Sequence, residues 1–241
     1  MKNIVERITD SLKYDIQYND QTGHMNEVLL YDYPEISGGE KSYDETSVAG
    51  RKGALVGRDI GKSNLKITCT FSIISPQFMP NVRRLKKWLC GTGQLILSDS
   101  PEIYYRVLKV DYGTIERELR NYGRFTATFT CEPFEYLVSG QREYMAEELK
   151  FNPYDECCPV YKITGEGMCT LEVNEKQMTA NVGQNLTIDT GKMIAYREDG
   201  EIRNTDVTGD YEDLFLPEGE NRINITYGFD LRIIPNWGYD V

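Results

Sequence analysis

At 241 residues, with 40% hydrophobic and 27% charged side chains, the chain has ordinary globular make-up and room for one large domain or two of common size. No apolar run approaches the ~18–20 residues that span a bilayer, and the charged opening MKNIVERITDSLKY does not read as a signal peptide, so folding in a cytosol is the expectation. The formal net charge of -11 is uneven: residues 1–137 hold 18 basic and 18 acidic side chains, which leaves 9 and 20 for residues 138–241. A neutral first part can pack against copies of itself, and an acidic second part stays soluble and avoids nucleic acid.

In chain order, the first notable stretch is Tyr33 to Asn64, with six glycines and few apolar residues. A segment this long without periodicity reads as a projecting arm that orders against a neighbour. Its GRDIGKS, Gly57 to Ser63, is one residue short of phosphate-loop spacing and is a chance similarity. LKITCTFSI then alternates, with Ile67, Cys69, Phe71 and Ile73 on one face and Lys66, Thr68, Thr70 and Ser72 on the other. RFTATFTCE repeats the pattern with Phe125, Ala127, Phe129 and Cys131 inward. EIYYRVLKVDY is apolar on both faces and reads as a central strand.

Between these strands MPNVRRLKKWLCGTG predicts a helix, with Pro80 in its first turn and Gly91 or Gly93 at its stop. At 100° per residue, Val82, Leu85, Trp88 and Leu89 share one arc, and Arg83, Arg84, Lys86 and Lys87 share the opposite one. This is either a solvated face or a face that meets an acidic neighbour. The basic arc lacks the stacking aromatics of a nucleic-acid reader.

A composition shift near Leu137 divides the chain into residues 1–137 and 138–241. Beyond it come short strand signals with turns between them: GMCTLEVNEKQMTA, NLTIDTGKMIAYRE, and a closing pair, NRINITYGFDLRII. In the closing pair Ile223, Ile225 and Tyr227 alternate with polar residues, Gly228 turns the chain, and Leu231 and Ile233 resume the alternation. This predicts a terminal hairpin completing a β-sandwich. REDGEIRNTD reads as a hairpin turn around Asp199-Gly200.

Residues able to carry chemistry are sparse. The six cysteines form no C-x-x-C pair, and Cys69, Cys131 and Cys169 fall on apolar faces as small reduced hydrophobes. Cys157-Cys158, before Pro159, has no evident role. His24 is the single histidine and sits in a polar run, which leaves no His-based metal site or triad. Asp210, Glu212 and Asp213 form the densest acidic group of the second part and read as a surface turn. No catalytic, metal or cofactor site is predicted, and no sequence-specific nucleic-acid binding.

Several stretches resemble, in order, the phage distal tail proteins of long-tailed phages infecting Gram-positive bacteria. They are YPEIS, GRKGALVGRD, LKKWLCGTGQLILSDSPEIYYRVLKV and FTATFTCEPFEY in the first part, then YKITGEGMCTLEVNEKQ, LTIDTGKM and FLPEGENRINI in the second. Glu218, between Pro217 and Gly219, departs from the family's turn. The resemblance covers nearly the whole chain. It implies a mainly β protein: a tail-tube-like N-terminal β-sandwich with one flanking helix, and a C-terminal galectin-like β-sandwich projecting outward. It further implies a non-enzymatic homo-hexameric ring at the virion tail tip, assembled in the host cytoplasm. The ring would join the tail tube protein to a tail-tip hub or tail-associated lysin protein and to receptor-binding proteins, without membrane insertion. Its subunit interface is expected at Arg51, Arg58, Arg83, Arg84, Lys86 and Lys87. A phage-derived bacteriocin would share this ring logic. The alternative is a stand-alone carbohydrate-binding module for host cell-wall recognition.

Overall fold

The structure, a computed structural model, describes residues 14–241, apart from the side chains of residues 58–60. The opening segment considered as a leader lies almost entirely outside the described residues. The chain divides into two compact units, residues 1–135 with Val241, and Tyr136–Asp240.

The first unit contains β1 (Ile16–Tyr18), β2 (Gln21–Thr22), β3 (Val28–Leu30), β4 (Glu35–Ser37), β5 (Lys41–Thr46), β6 (Leu55–Lys62), β7 (Leu65–Ile74), α1 (Phe78–Trp88), β8 (Gly93–Leu97), β9 (Ile103–Leu119) and β10 (Tyr122–Cys131). Strand order in its main sheet is β2-β1-β8-β9-β10-β7, and β3 and β4 both pair with β7. All these pairings are antiparallel. The two alternating strands pair along their whole length, from Tyr122 opposite Ile74 to Cys131 opposite Leu65. Their inward residues Ile67, Cys69, Phe71, Ile73, Phe125, Ala127, Phe129 and Cys131 are all buried. β9 lies between β8 and β10, the central place expected of a strand apolar on both faces.

Tyr18 of β1 and Phe129 of β10 lie with ring centroids 5.4 Å apart, although β8 and β9 separate their strands in the sheet. Three strand spacings in a flat sheet would put them ~14 Å apart, so the sheet curls back over its own apolar face. α1 packs on the same core. Val82, Leu85, Trp88 and Leu89 are buried, and the Trp88 indole N–H donates to the Tyr18 carbonyl at 3.0 Å. Gly123 is fixed by this packing, because a Cβ there would come within 2.6 Å of the Phe78 ring and 2.5 Å of the Glu116 carbonyl.

The arm segment is not irregular throughout. β5 and β6 pair antiparallel as a separate two-stranded sheet, and β4 joins the main one. The periodicity that would have revealed β5 is missing because neither face of it is buried.

β11 (Phe134–Leu137) spans the division between the units. The second unit contains β12 (Phe151–Asn152), β13 (Val160–Val173), β14 (Lys176–Asp189), β15 (Ile194–Tyr196), β16 (Val207–Thr208), β17 (Gly219–Glu220), β18 (Ile223–Ile225), β19 (Asp230–Ile234) and β20 (Gly238–Asp240). Its main sheet runs β15-β14-β13-β18, with β16 on β14 and β19 on β13, and β12 pairs with β17 separately. β13 and β14 form a hairpin turned by Asn174 and Glu175, both at positive φ (50° and 72°), the conformation of a two-residue type I′ turn. Tyr161, Ile163, Cys169, Leu171, Val173, Met178, Val182 and Ile188 are buried along it. Leu149, Leu214 and Leu216 join this core from the segments outside the sheet, and the Tyr161 hydroxyl donates to the Leu214 carbonyl at 2.7 Å. The Asp199-Gly200 turn is present, with Gly200 at φ 86° and Arg197 N–H bonded to the Glu201 carbonyl.

The closing pair is not a hairpin. β18 and β19 do not pair with each other. Both pair antiparallel with β13, β18 opposite Leu171–Val173 and β19 opposite residues 160–164. They are two stretches of one line, interrupted at residues 226–229. Gly228 does adopt a positive φ of 95°, but it offsets the chain instead of reversing it. Tyr227, expected inward, is fully exposed on this offset.

Candidate interaction surfaces

The basic arc of α1 is exposed as its spacing predicts: Arg83, Arg84, Lys86 and Lys87 all face solvent. The four are not equivalent. Arg84 reaches back to the Asn81 side chain at 2.8 Å, the Asn26 carbonyl at 3.2 Å and the Glu27 carboxylate at 3.1 Å. It therefore holds the helix to the turn that precedes β3. Among the described residues Arg83, Lys86 and Lys87 have no ion-pair partner. The C-terminal end of α1 is held from outside the helix. Tyr112 Oη lies 2.8 Å from the Lys86 carbonyl and 2.6 Å from that of Leu89, and the Tyr18 hydroxyl donates to the Gly91 carbonyl. These bonds satisfy carbonyls that a helix end leaves open and keep the cations in one orientation.

Arg51 is exposed in the connection between β5 and β6, where its N–H donates to the Val48 carbonyl. It belongs to a different element from the α1 cations. The side chain of Arg58 lies outside the described residues. Sequence patterning did not show the apolar exposure of this hairpin: Tyr43, Val48, Leu55 and Val56 all stand in solvent. An isolated two-stranded hairpin is marginal in water, and this one has no core of its own beneath it.

Several of the groups able to do chemistry also have structural roles. His24 Nδ1 lies 2.7 Å from Asp15 Oδ2, and Asp15 also accepts from the N–H groups of Ile16, Gly23 and His24. Together they fasten β1 to the turn after β2. Burial pushes the Cys69 and Cys169 thiols up, and those of Cys131 and Cys157 up to about 12, so the reactive thiolate is disfavoured at each. Cys157 also has a structural place, since its backbone exchanges two hydrogen bonds with Leu216. Asp213 of the acidic turn pairs with Lys176 at 2.7 Å. Among the described residues no group of three or more His, Cys, Asp or Glu side chains is placed to hold a metal ion. No described helix is long and apolar enough to cross a membrane.

The sequence matches no protein-family model and no curated protein. The fold, however, has a counterpart among solved structures. The chain has the fold of the SPP1 Dit (gp 19.1) protein. The two superpose with a TM-score of 0.62 over 91% of this chain and 97% of that one, at 11% identity. SPP1 Dit is described as a paradigm of the hub adsorption apparatus in phages that infect Gram-positive bacteria. At such low identity the likeness establishes the fold, and it extends over both compact units.

Proposed function

We propose that this chain is a phage distal tail protein. It forms a hexameric ring at the tail tip, joins the tail tube to the hub and adsorption apparatus, and acts by assembly, not catalysis. The observation that carries this reading is the likeness to SPP1 Dit across 91% of the chain, which includes both units and not a common sandwich alone. In this reading residues 1–137 form the ring and residues 138–241 project outward to tail-tip partners. The β5–β6 arm rests on the next subunit, which covers its exposed apolar side chains. Arg51, Arg58 and the α1 cations contribute the subunit contacts, with Arg84 acting partly through Glu27. The ring is assembled in the host cytoplasm and carried at the virion tail tip.

Light scattering on the full chain tests the ring. A particle of about six times 27.7 kDa, imaged as a ring, is the expected result. Lone monomers that persist when tube and hub components are supplied would overturn it, and a monomer that binds cell-wall glycan would favour a stand-alone sugar-binding module. Replacing Arg83, Lys86 and Lys87 together by Glu, with Arg84 left in place, should shift the mass toward the monomer without lowering the melting temperature. High salt should act in the same direction.

A further inference from the structure

β14 carries a glycine, Gly183, in the interior of a 14-residue strand, where glycine weakens the strand and marks close approach by another group. Its backbone does not call for glycine, since its φ is not positive. Space does. A Cβ there would stand 3.0 Å from Arg197 Cζ and 3.2 Å from Nη1, and closer still to Nη2. The Arg197 guanidinium therefore lies directly on the bare backbone of β14. It reaches this place from the turn after β15, which is itself fixed. The Arg197 N–H donates to the Glu201 carbonyl, the Arg197 carbonyl accepts from Gly200 N–H, and Glu198 N–H donates to Asn185 Oδ1 of β14 at 2.9 Å.

So placed, the guanidinium has no partner. Four basic side chains of residues 138–241 are part-buried, Lys162, Arg197, Arg203 and Arg232. Three of them meet carboxylates: Lys162 pairs with Glu143, Arg203 with Glu201 and Arg232 with Asp230. Among the described residues the Arg197 side chain makes neither an ion pair nor a hydrogen bond, and its Nε is buried without an acceptor. Nη1 and Nη2 stay within reach of solvent. Glu166 stands opposite Gly183 across the β13–β14 ladder, but it is exposed and forms no ion pair with Arg197. The next cross-strand pair on this face is Met168 with Asn181, and Met168 is 66% exposed. An unpaired half-buried charge and a strand-interior glycine each cost stability. Together they describe a fork held open for a carboxylate that arrives from outside the unit.

We propose that Arg197 anchors a docking site on this face of β13–β14 for a segment of another tail-tip protein that presents one Asp or Glu beside an apolar side chain. The carboxylate closes on the two free Nη groups, and the apolar neighbour covers Met168. A lone carboxylate fits better than a polyanion, because residues 138–241 hold 20 acidic side chains against 9 basic ones. The assignment of the guest to the tail tip rests on the function proposed above. The recognition chemistry rests on this unit alone.

The test uses the full chain and labelled synthetic heptapeptides, followed by fluorescence anisotropy. A peptide with one Glu between two Leu in a Ser-Gly frame should bind roughly tenfold more tightly than its Gln counterpart, and more tightly than a run of Glu. Arg197→Met should abolish that preference without lowering the melting temperature, since the side chain makes no bond within the unit. Arg197→Lys, which keeps the charge and loses the fork, should restore only part of it. Gly183→Ala should push the guanidinium aside and weaken binding of the Glu peptide several-fold, again with the melting temperature held. The proposal is overturned if the Glu and Gln peptides bind alike or neither binds, if Arg197→Met markedly lowers the melting temperature, or if Gly183→Ala leaves binding unchanged. It is equally overturned if a run of Glu or an acidic polysaccharide takes Arg197 in preference to the single-Glu peptide. Particle mass is measured on the same samples. An intact ring without the Glu preference removes only this site, and the preference without a ring removes only the ring.

Discussion

β13–β14 and β5–β6 are both antiparallel hairpins, and they are built on opposite terms. The first has strands of 14 residues whose inward side chains are buried almost without exception, and its turn is held by side chains from elsewhere in the unit. The second has strands of six and eight residues, and none of the described residues of either strand except Lys62 is shielded. The first stands on burial within its own unit. The second has backbone pairing without a core, which is the condition of an element completed by another molecule.

This contrast breaks most sharply on paired truncations. Ile188→Ala, at a fully buried site on β14, should destabilise the fold by about 2–5 kcal/mol, whereas Val56→Ala, 63% exposed on β6, should stay within about 0.5 kcal/mol. Urea denaturation measures both, and equal losses would mean that the arm has a core after all. A smaller effect is expected at the turn. Asn174 tolerates its left-handed backbone, donates to Asn221 Oδ1 at 2.8 Å and accepts from Arg222 N–H at 2.9 Å. Asn174→Ala should remove about 1–3 kcal/mol in the same assay, because it strains the turn and takes a partner from the buried Asn221.

The smallest effect at neutral pH is alkaline sensitivity. Burial raises the titrations of Tyr161 and Cys169, both on β13, above their ordinary values of 10.0 and 9.0. The folded state therefore prefers the neutral forms. Their contribution is complete below the ordinary thiol range and is lost as pH rises through it and beyond. Urea midpoints should hold to about pH 8 and fall by about pH 10.5. In Cys169→Ala the part of that fall due to the thiol should disappear.

Much of the core was legible in the sequence, because alternation records burial on one face. Ile67 to Ile73, Phe125 to Cys131 and the two arcs of α1 all lie where their periodicity places them. The strands of the arm escape patterning for the same reason in reverse: with no buried face, Lys41–Thr46 carries no alternation. The closing strands differ from the expected hairpin because Gly228 signals a backbone conformation and not a destination. A reversal and an offset both accept a positive φ, and only the length of β13 decides that it can hold two strands in line. The basic arc of α1 was visible as composition. That Arg84 is tied to Glu27 and Asn81 was not, since a contact across the fold leaves no mark in local spacing.

The break between β18 and β19 has a practical consequence. Each strand is anchored to β13 independently, and the link between them carries Tyr227 fully exposed, one residue beyond Thr226, which still bonds to Thr170. Lengthening that link adds only the slow logarithmic penalty of a longer closed loop, about 0.6 kcal/mol per doubling. The position of Tyr227 is therefore a natural place to splice in a peptide tag or a whole extra module, displayed to solvent while the sheet beneath keeps its register.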